Sequence, residues 1–198
     1  MPLDADRLIA ALHRPSGASS DFDLNPATVL PAGRVLRPAA VLVALWDRGG
    51  VDHAVLTKRA SHLKHHPGQI AFPGGKFEDA DGSLEVAALR EAQEEVGLDP
   101  ANVMLLGRLA AHETVTGFLM TPVLGRIRAD FKPERDPSEV DEVFTVPLSH
   151  VLNPANYGIE GRHWRGTWRR YYTVPWGPYY IWGATARILH GLAERVQG

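Results

Sequence analysis

The 198-residue sequence contains no cysteine, and this absence excludes a disulfide framework, a thiolate zinc site and a cysteine nucleophile. An excess of one charge is also lacking, because 21 Lys and Arg residues against 23 Asp and Glu residues leave a formal net charge of -2. Such a balance provides no general attraction to a nucleic-acid backbone. We therefore expect no nucleic-acid partner, and any polyanionic ligand must be bound locally.

Long hydrophobic runs are absent too. The longest, residues 39–46, is far shorter than the ~20 apolar residues that a membrane span requires, so it predicts a buried strand. Residues 1–6 lack the basic-then-apolar order of a signal peptide, and we expect a cytoplasmic protein with no membrane partner. At roughly 150 residues per domain, the length predicts a single domain over residues 1–198.

The sequence does contain interleaved strand and helix patterns without the regular alternation of a parallel sheet, which indicates an α+β fold. A weak helical pattern covers residues 3–13, and another covers residues 184–196. Strands are predicted at residues 37–46, 53–57, 103–112, 119–127, 143–147, 164–174 and 179–182. The turn residues 47–50 predict that the first two strands form an antiparallel hairpin. Residues 58–75 look like a loop with a short apolar piece.

The clearest helix covers residues 83–96 and ends at Gly97, because glycine best tolerates the left-handed turn after a helix. Glu91, Glu94 and Glu95 fall within an arc of about 100° on this helix. Like charges at this spacing repel each other unless a cation lies among them. Oxygen ligands without cysteine favour Mg²⁺, Mn²⁺ or Ca²⁺, so the spacing points to metal-assisted displacement at phosphorus.

The same helix is expected to have a packing face. Val86, Leu89, Ala92 and Val96 are predicted to gather on the side opposite the carboxylates and to enter the core. Taken alone, however, three glutamates on a helix are more often a solvated acidic face than a metal site.

The surrounding residues favour the metal site. Gly74-Gly75 comes before a polar loop, and residues 90–98 read Arg-Glu-Ala-Gln-Glu-Glu-Val-Gly-Leu. Together, residues 74–98 resemble the Nudix box, the loop–helix–loop motif of hydrolases that cleave nucleoside diphosphates linked to another group. The resemblance implies the Nudix fold, a mixed β-sheet sandwiched between α-helices.

The resemblance also implies a cofactor and roles for particular residues. The cofactor is Mg²⁺ or Mn²⁺, with Glu91 and Glu95 as metal ligands and Glu94 as a further ligand or water-orienting base. Arg90 is expected to orient the carboxylates by ion pairing. Glu142, before Val-Phe, resembles a distant residue from which Nudix enzymes often draw a further ligand or base; the alternative is an acidic surface loop.

One part of the box departs from the family pattern. Gly75 and Arg90 are one residue further apart than in the motif, and the glutamate expected between them is absent. We interpret this as a one-residue insertion in a surface loop. Either Asp81 or Glu78 replaces the missing carboxylate, or that role is dispensable.

The segment before the box, residues 55–75, resembles the accompanying motif of the coenzyme A pyrophosphatase branch of the family. It has Leu-Thr-Lys-Arg-Ala, then Lys64 and a glycine, then Phe-Pro-Gly-Gly, with the family spacing throughout. The resemblance implies that Arg59, Lys64, Gly74 and Gly75 bind the substrate. Coenzyme A carries a ribose 3′-phosphate besides its diphosphate, and basic groups here are suited to bind it, although they would otherwise be interpreted as solvated residues.

The implied reaction is metal-dependent hydrolysis of coenzyme A, its thioesters or its disulfide to 3′,5′-ADP and 4′-phosphopantetheine or its derivatives. Another nucleoside diphosphate derivative is the first alternative: a dinucleotide, ADP-ribose, a nucleotide sugar or a capped RNA. A catalytically silent ligand-binding module is the second. The expected partner is a small molecule, and the oligomeric state is not predicted.

Two segments remain open at the level of sequence. Residues 114–118, Thr-Val-Thr-Gly-Phe, predict either a substrate-facing turn or a simple connection between strands. The aromatic stretch 164–182 favours packing in the core over a platform for base stacking.

Overall fold

The computed structural model describes residues 5–14, 17–164 and 166–197. Leu3 and Gly198 belong to segments interpreted above from sequence and lie outside the described residues, as does residue 165 within the 164–174 stretch. The described helices are α1 (Ala5–His13), α2 (Leu84–Val96), α3 (Leu148–Val151) and α4 (Gly183–Gln197). Within these ranges, no helix combines the length and apolar character needed to cross a bilayer.

A nine-stranded sheet organises the molecule. Its strands are β1 (Ser19–Ser20), β2 (Arg37–Asp47), β3 (Asp52–Arg59), β4 (Ile70–Ala71), β5 (Gly74–Lys76), β6 (Val103–Arg108), β7 (His112–Glu113), β8 (Phe118–Ile127) and β9 (Val140–Pro147). The main order is β1-β7-β8-β2-β3-β4, with β5 beside β2, β6 beside β8 and β9 beside β3. The sheet is mixed because β2 runs parallel to β8 but antiparallel to β3 and β5. Strands β10 (Gly158–Trp164) and β11 (Thr167–Thr173) form a separate hairpin.

The central strand β2 is buried on both faces because two layers of helices cover the sheet. Its side chains alternate between two apolar clusters: Ala40, Leu42 and Ala44 lie in the cluster with α2, and Val41, Val43 and Leu45 lie in the cluster with α4. This is the period of two that an extended chain imposes. Full burial of one such side chain, Leu42, stabilises the fold by about 2 kcal/mol.

The predicted packing face of α2 is confirmed in part, because Ala92 and Val96 are buried and Leu89 packs against the core. The helix packs through four small or branched side chains, with Glu95 buried among them: Ala87, Ala88, Ala92 and Val96. Val86, expected in the core, is 48% exposed. At 100° per residue, Glu95 lies only about 20° from Ala88 around the axis, so a carboxylate shares the packing face. The alanines allow this because they fill little space.

Most other predicted elements are confirmed, including the hairpin, whose strands pair from Leu45 with Ala54 to Asp47 with Asp52. Two predicted strands have different bounds. The 103–112 strand stops at Arg108, after a register irregularity near Gly107, and His112–Glu113 is a separate strand. The 164–174 strand is divided between β10 and β11, because the chain reverses between them.

Two other expectations are wrong. Residues 179–182 form only isolated bridges, since Pro175 and Pro178 cannot donate to a ladder and Gly177 turns the chain. The loop expected at residues 58–75 includes the end of β3 and the short strands β4 and β5. The sequence signal there is weak because each short strand has only two or three residues.

Candidate active site

The glycine pair of β5 lies where the sheet meets α2. Gly75 pairs with Ala40 of β2, and Gly74 pairs with Val41. A Cβ atom on Gly75 would lie 2.5 Å from the carboxylate of Glu91, and one on Gly74 would lie 2.4 Å from the carbonyl oxygen of Ala40. Only glycine therefore fits at position 74, where a side chain would meet the backbone of β2, whereas a side chain at position 75 would displace the carboxylate of Glu91.

Glu95 is the most deeply buried carboxylate of the site, with 3% of its surface exposed. Its Oε2 accepts a hydrogen bond of 3.1 Å from the backbone N–H of Gly74. Its Oε1 lies 3.9 Å from Nη1 of Arg59, at the end of β3. Burial, with a smaller contribution from repulsion by Glu91 and Glu139, raises the pKa of Glu95 to about 8 against the opposing effects of the Gly74 N–H and Arg59.

Arg90 links the other two glutamates of the helix. Its Nη1 donates to Oε1 of Glu91 at 3.0 Å and to Oε2 of Glu94 at 3.1 Å. Its Nη2 donates to the carbonyl oxygen of Lys76 at 3.2 Å, which connects the helix to β5. Glu94 is the more exposed of the two carboxylates, with 57% of its side chain accessible against 15% for Glu91.

Asp81 occupies the loop in which the family glutamate is missing. It ends a short 3-10 turn, and its carboxylate accepts from Nε and Nη2 of Arg90 at 2.7 and 3.2 Å. The hydrogen bond from Arg90 holds the pKa of Asp81 below its usual range. Glu78 begins the turn, and its backbone N–H donates to Asp81. Asp81 therefore anchors Arg90, and Glu78 contributes to the shape of the loop.

The carboxylates have the donor type of a site for a hard divalent cation. Burial raises the pKa of Glu91, as it does that of Glu95, so both charges lack full compensation in the structure. A bound Mg²⁺ or Mn²⁺ relieves this condition, and the residues therefore fit such an ion. In the described part of the chain, no three His, Asp or Glu side chains are already gathered in ligand geometry; Arg90 instead bridges Glu91 and Glu94.

The acidic segment before β9 contributes a residue that the sequence did not single out. Repulsion from Glu139 is a minor influence that raises the pKa of both Glu91 and Glu95, so its charge lies within electrostatic range of the site. Its carbonyl oxygen accepts from the backbone N–H of Ala60, directly after Arg59, and this bond holds the segment beside the end of β3. The only sequence signal was a group of three carboxylates, which does not distinguish one member from another.

Glu142, one of the candidates from sequence, makes different contacts in the structure. It pairs in register with Lys58 of β3, and its carboxylate accepts a hydrogen bond from the Tyr179 hydroxyl. The ring of Tyr179 stacks on Phe144, with centroids 3.6 Å apart, so Tyr179 is held against the core. Glu142 thus engages a tyrosine, whereas the charge of Glu139 adds slightly to the raised pKa of the helix carboxylates.

The predicted substrate-binding residues are only partly brought together. Arg59, Gly74 and Gly75 meet at Glu91 and Glu95, whereas Lys64 is exposed in the loop between β3 and β4. A cleft of about 740 Å³ lies between the N-terminal segment and α4, lined by Arg14, Ser19, Arg187 and Arg195 among others. None of the predicted site residues lines it.

The fold and the site together define a class of protein. A mixed sheet is covered by helices on both faces, and a glycine pair faces a helix with three glutamates and a bridging arginine. This is the arrangement expected of the loop–helix–loop motif recognised in the sequence.

Comparison with known proteins shows the family. The profile of the NUDIX domain matches residues 36–165, and the chain belongs to the Nudix family. A relative from Enterobacter sp. (strain 638), named "Uncharacterized Nudix hydrolase NudL", is 43% identical over 160 residues, covering 81% of this chain and 83% of the relative. A relative of the same name from Cronobacter sakazakii (strain ATCC BAA-894) is 39% identical over 195 residues, covering 98% of this chain and 96% of the relative.

Solved structures agree on the fold. A Nudix hydrolase from M. Smegmatis, RenU, has a TM-score of 0.50 at 22% identity, covering 61% of this chain and 83% of that chain. A C. elegans Ap4A hydrolase binary complex has a TM-score of 0.50 at 16% identity, covering 59% of this chain and 84% of that chain. At these identities the likeness shows the fold alone, and the predicted α+β Nudix fold is confirmed.

Proposed function

We propose that this Nudix hydrolase cleaves the diphosphate bond of coenzyme A and its derivatives, producing 3′,5′-ADP and 4′-phosphopantetheine or an acylated form of it. The observation that carries the proposal is the 3.9 Å approach of Arg59 to Glu95. Arg59 belongs to the upstream motif and Glu95 to the Nudix box, so the two motifs meet at one site. A cation beside buried carboxylates is suited to hold a diphosphate there.

The metal in this proposal is Mg²⁺ or Mn²⁺, held by Glu91 and Glu95 with Glu94 as a further ligand. When bound, such an ion neutralises diphosphate charge and lowers the pKa of a water molecule. Arg90 keeps Glu91 and Glu94 in fixed positions through its hydrogen bonds, and Asp81 fixes Arg90 in turn. Oxygen donors from carboxylates alone are consistent with this choice of metal.

The chain's own residues have separate tasks in the reaction. Arg59 and the backbone beside Gly74 and Gly75 bind the diphosphate. Glu139 and Glu94 are the accessible carboxylates that can accept a proton from the attacking water, since both are exposed. A general base of this kind contributes about 10²–10⁴-fold to a rate.

A substrate panel tests the proposal. Coenzyme A, acetyl-coenzyme A, ADP-ribose, a diadenosine polyphosphate, a nucleotide sugar and a capped RNA are each incubated with the protein and Mg²⁺, and the products are separated by mass. We expect coenzyme A and its thioester to have the highest kcat/KM. The same reaction in ¹⁸O-water identifies the phosphorus that is attacked, because only the product of attack carries the label.

Each outcome has a definite meaning. Preference for another member of the panel replaces coenzyme A with that substrate and leaves the hydrolase class intact. Absence of hydrolysis with all substrates and with both Mg²⁺ and Mn²⁺ favours a silent ligand-binding module. Intact Glu91, Glu94 and Glu95 are the reason we expect turnover.

A further inference from the structure

The end of the sheet that carries the glycine pair also carries arginines stacked on phenylalanine rings. The guanidinium carbon of Arg37, at the start of β2, lies 4.0 Å from the ring centroid of Phe118, its partner in register on β8. Nearby, the guanidinium carbons of Arg34 and Arg169 lie 5.8 and 5.4 Å from the ring centroid of Phe22. We call these five residues the arginine–phenylalanine platform.

The turn between β7 and β8 joins the two halves of the platform. Arg34 donates to the carboxylate of Glu113, at the start of the turn. The Nη2 of Arg37 donates to the carbonyl oxygen of Thr116 at 3.2 Å. The backbone N–H of Arg37 donates to the carbonyl oxygen of Gly117 at 3.0 Å. Gly117 has a φ of 82°, so the turn needs a residue that tolerates the left-handed region.

The platform borders the loop of the Nudix box. Ala39 of β2 pairs with Lys76 of β5, and the carbonyl oxygen of Lys76 accepts from Arg90. Arg37 is two residues from Ala39, which at ~3.3 Å per residue is about 7 Å along the strand. The backbone N–H of Phe77 also donates to the carbonyl oxygen of Pro38, between Arg37 and Ala39, at 3.1 Å. The platform and the glycine pair therefore lie at the same end of the sheet. Arg37 alternates in phase with Val41, so its side chain lies on the face of the sheet opposite α2, and a nucleotide held at the glycine pair must extend past the end of β2 to reach it.

Arg37 differs from Arg59 and Arg34 in its electrostatic surroundings. Arg59 lies beside the Glu95 carboxylate, and Arg34 is paired with Glu113. For Arg37, no carboxylate among the described residues lies within ion-pairing distance; its contacts are a ring and a carbonyl oxygen. Stacking on Phe118 orients the guanidinium plane while its remaining N–H groups stay available at the exposed edge.

We infer that Arg37, oriented by Phe118, is a specificity-determining residue that binds a phosphate on the ribose of the substrate's adenosine. This inference rests on the proposed function. It assigns to Arg37 the ribose phosphate, which the residues that bind the diphosphate do not contact. An oriented guanidinium binds a phosphate monoester through paired, charge-assisted hydrogen bonds. The turn at residues 114–117 then faces the substrate, which is one of the two interpretations of its sequence.

The test compares coenzyme A with dephospho-coenzyme A, which lacks the ribose 3′-phosphate. Steady-state kinetics are measured with Mg²⁺ for the unaltered protein and for Arg37→Gln, Arg48→Gln and Lys64→Gln. Arg48 is the matched control because it is also an exposed arginine over a ring, 4.9 Å from Trp46, at the opposite end of β2. It likewise donates to a neutral oxygen, the Oγ1 of Thr145, at 3.1 Å.

We expect Arg37→Gln to raise KM for coenzyme A about tenfold, as loss of a charge-assisted hydrogen bond predicts. The same substitution should change KM for dephospho-coenzyme A by less than about twofold, and Arg48→Gln should affect neither substrate. Equal effects of Arg37→Gln on both substrates overturn the inference. The inference is also overturned if Lys64→Gln, and not Arg37→Gln, loses the difference in KM between coenzyme A and dephospho-coenzyme A.

Calorimetric binding separates this inference from the proposed function. The unaltered protein should bind 3′,5′-ADP more tightly than AMP, and Arg37→Gln should remove that difference. If neither coenzyme A nor dephospho-coenzyme A is hydrolysed, the proposed function fails while this binding difference still tests the role of Arg37. Equal affinity of the unaltered protein for the two nucleotides overturns that role.

Discussion

At the scale of single residues, the buried Glu95 combines two properties that seldom occur together. It is held by the N–H of Gly74 and lies near Arg59, yet burial still raises its pKa to about 8. Structural carboxylates are usually paired more completely or left in water. Burial disfavours the charged form of Glu95, and a carboxylate in this position points to a bound cation that is not part of the chain.

Replacing Glu95 with Gln should lower kcat/KM by at least about a hundredfold, because the proposed metal ligand loses its charge. The fold should survive, since the Gln side-chain oxygen can still accept from Gly74 and no charge is left buried. Turnover in the presence of Mg²⁺ and thermal unfolding are measured together. Glu85→Gln, on the first turn of the same helix and paired with Arg108, is the control. Near-normal turnover by Glu95→Gln contradicts the metal assignment.

Glu139 and Glu142 offer a second comparison between single residues. Glu139→Gln should lower kcat by about 10²-fold or more if its carboxylate accepts a proton from water. Glu142→Gln should have a smaller effect on kcat, because Glu142 engages Tyr179. Parallel pH–rate profiles distinguish the two, since removal of a general base abolishes the acidic limb. A larger loss in Glu142→Gln would restore the assignment favoured by the sequence.

At the scale of elements, the bounds and the packing face of a helix are not equally predictable from sequence, as α2 and α4 show. The bounds of α2 were predictable because Ser83 caps its first turn and Gly97 ends it in a left-handed conformation. Its orientation was only partly predictable, because alanine gives little amphipathic signal and a buried glutamate contradicts the pattern. Helix α4 has conventional apolar positions such as Ile188 and Leu189, and its existence and extent followed from them.

Helix α4 also contains a titratable residue, His190, that packs against two tyrosine rings. His190 stacks on Tyr172 with centroids 4.6 Å apart and meets Tyr157 edge-on at 4.9 Å. Burial lowers the pKa of His190 below its usual 6.5, against the attraction of Glu194. The folded state therefore favours the neutral imidazole.

The consequence for stability has a definite sign. Below pH ~6.5 the unfolded chain binds a proton at His190 more readily than the folded chain, so the free energy of unfolding falls as pH decreases and levels off below the folded pKa. His190→Leu should make this decline shallower. Urea unfolding at pH 8, 6.5 and 5 measures it, with His65→Gln, in the exposed loop between β3 and β4, as control. An unchanged slope in His190→Leu rules out this contribution.

At the scale of the whole molecule, one buried histidine adds side-chain hydrogen bonds to the strand pairing that joins the segment before β2 to the sheet. The Nδ1 of His112 lies 2.9 Å from Ser19 Oγ, and its Nε2 lies 3.1 Å from Asp21 Oδ1. Asp21 also accepts from the backbone N–H of Val115 in the turn beside the platform. This network fixes the position of Phe22, which follows Asp21 in the chain.

His112→Phe should reduce the free energy of unfolding by about 2 kcal/mol, because Ser19 and Asp21 lose a buried polar partner. The segment before β2 should also become more accessible to protease at neutral pH. Denaturant unfolding and limited proteolysis measure the two effects. Equal protection of the segment in both proteins would show that other contacts hold it in place.

What the sequence determined by itself was local. The glycine pair, the glutamate helix with its end at Gly97 and the hairpin at residues 47–50 all follow from residue types and spacing within a short stretch of chain. Tertiary structure alone decided that Glu95 is buried, that Glu142 engages Tyr179, and that Arg37 stacks on Phe118. These contacts join residues far apart in the chain, and neither periodicity nor residue type encodes them; they arise when the sheet brings the ends of its strands together.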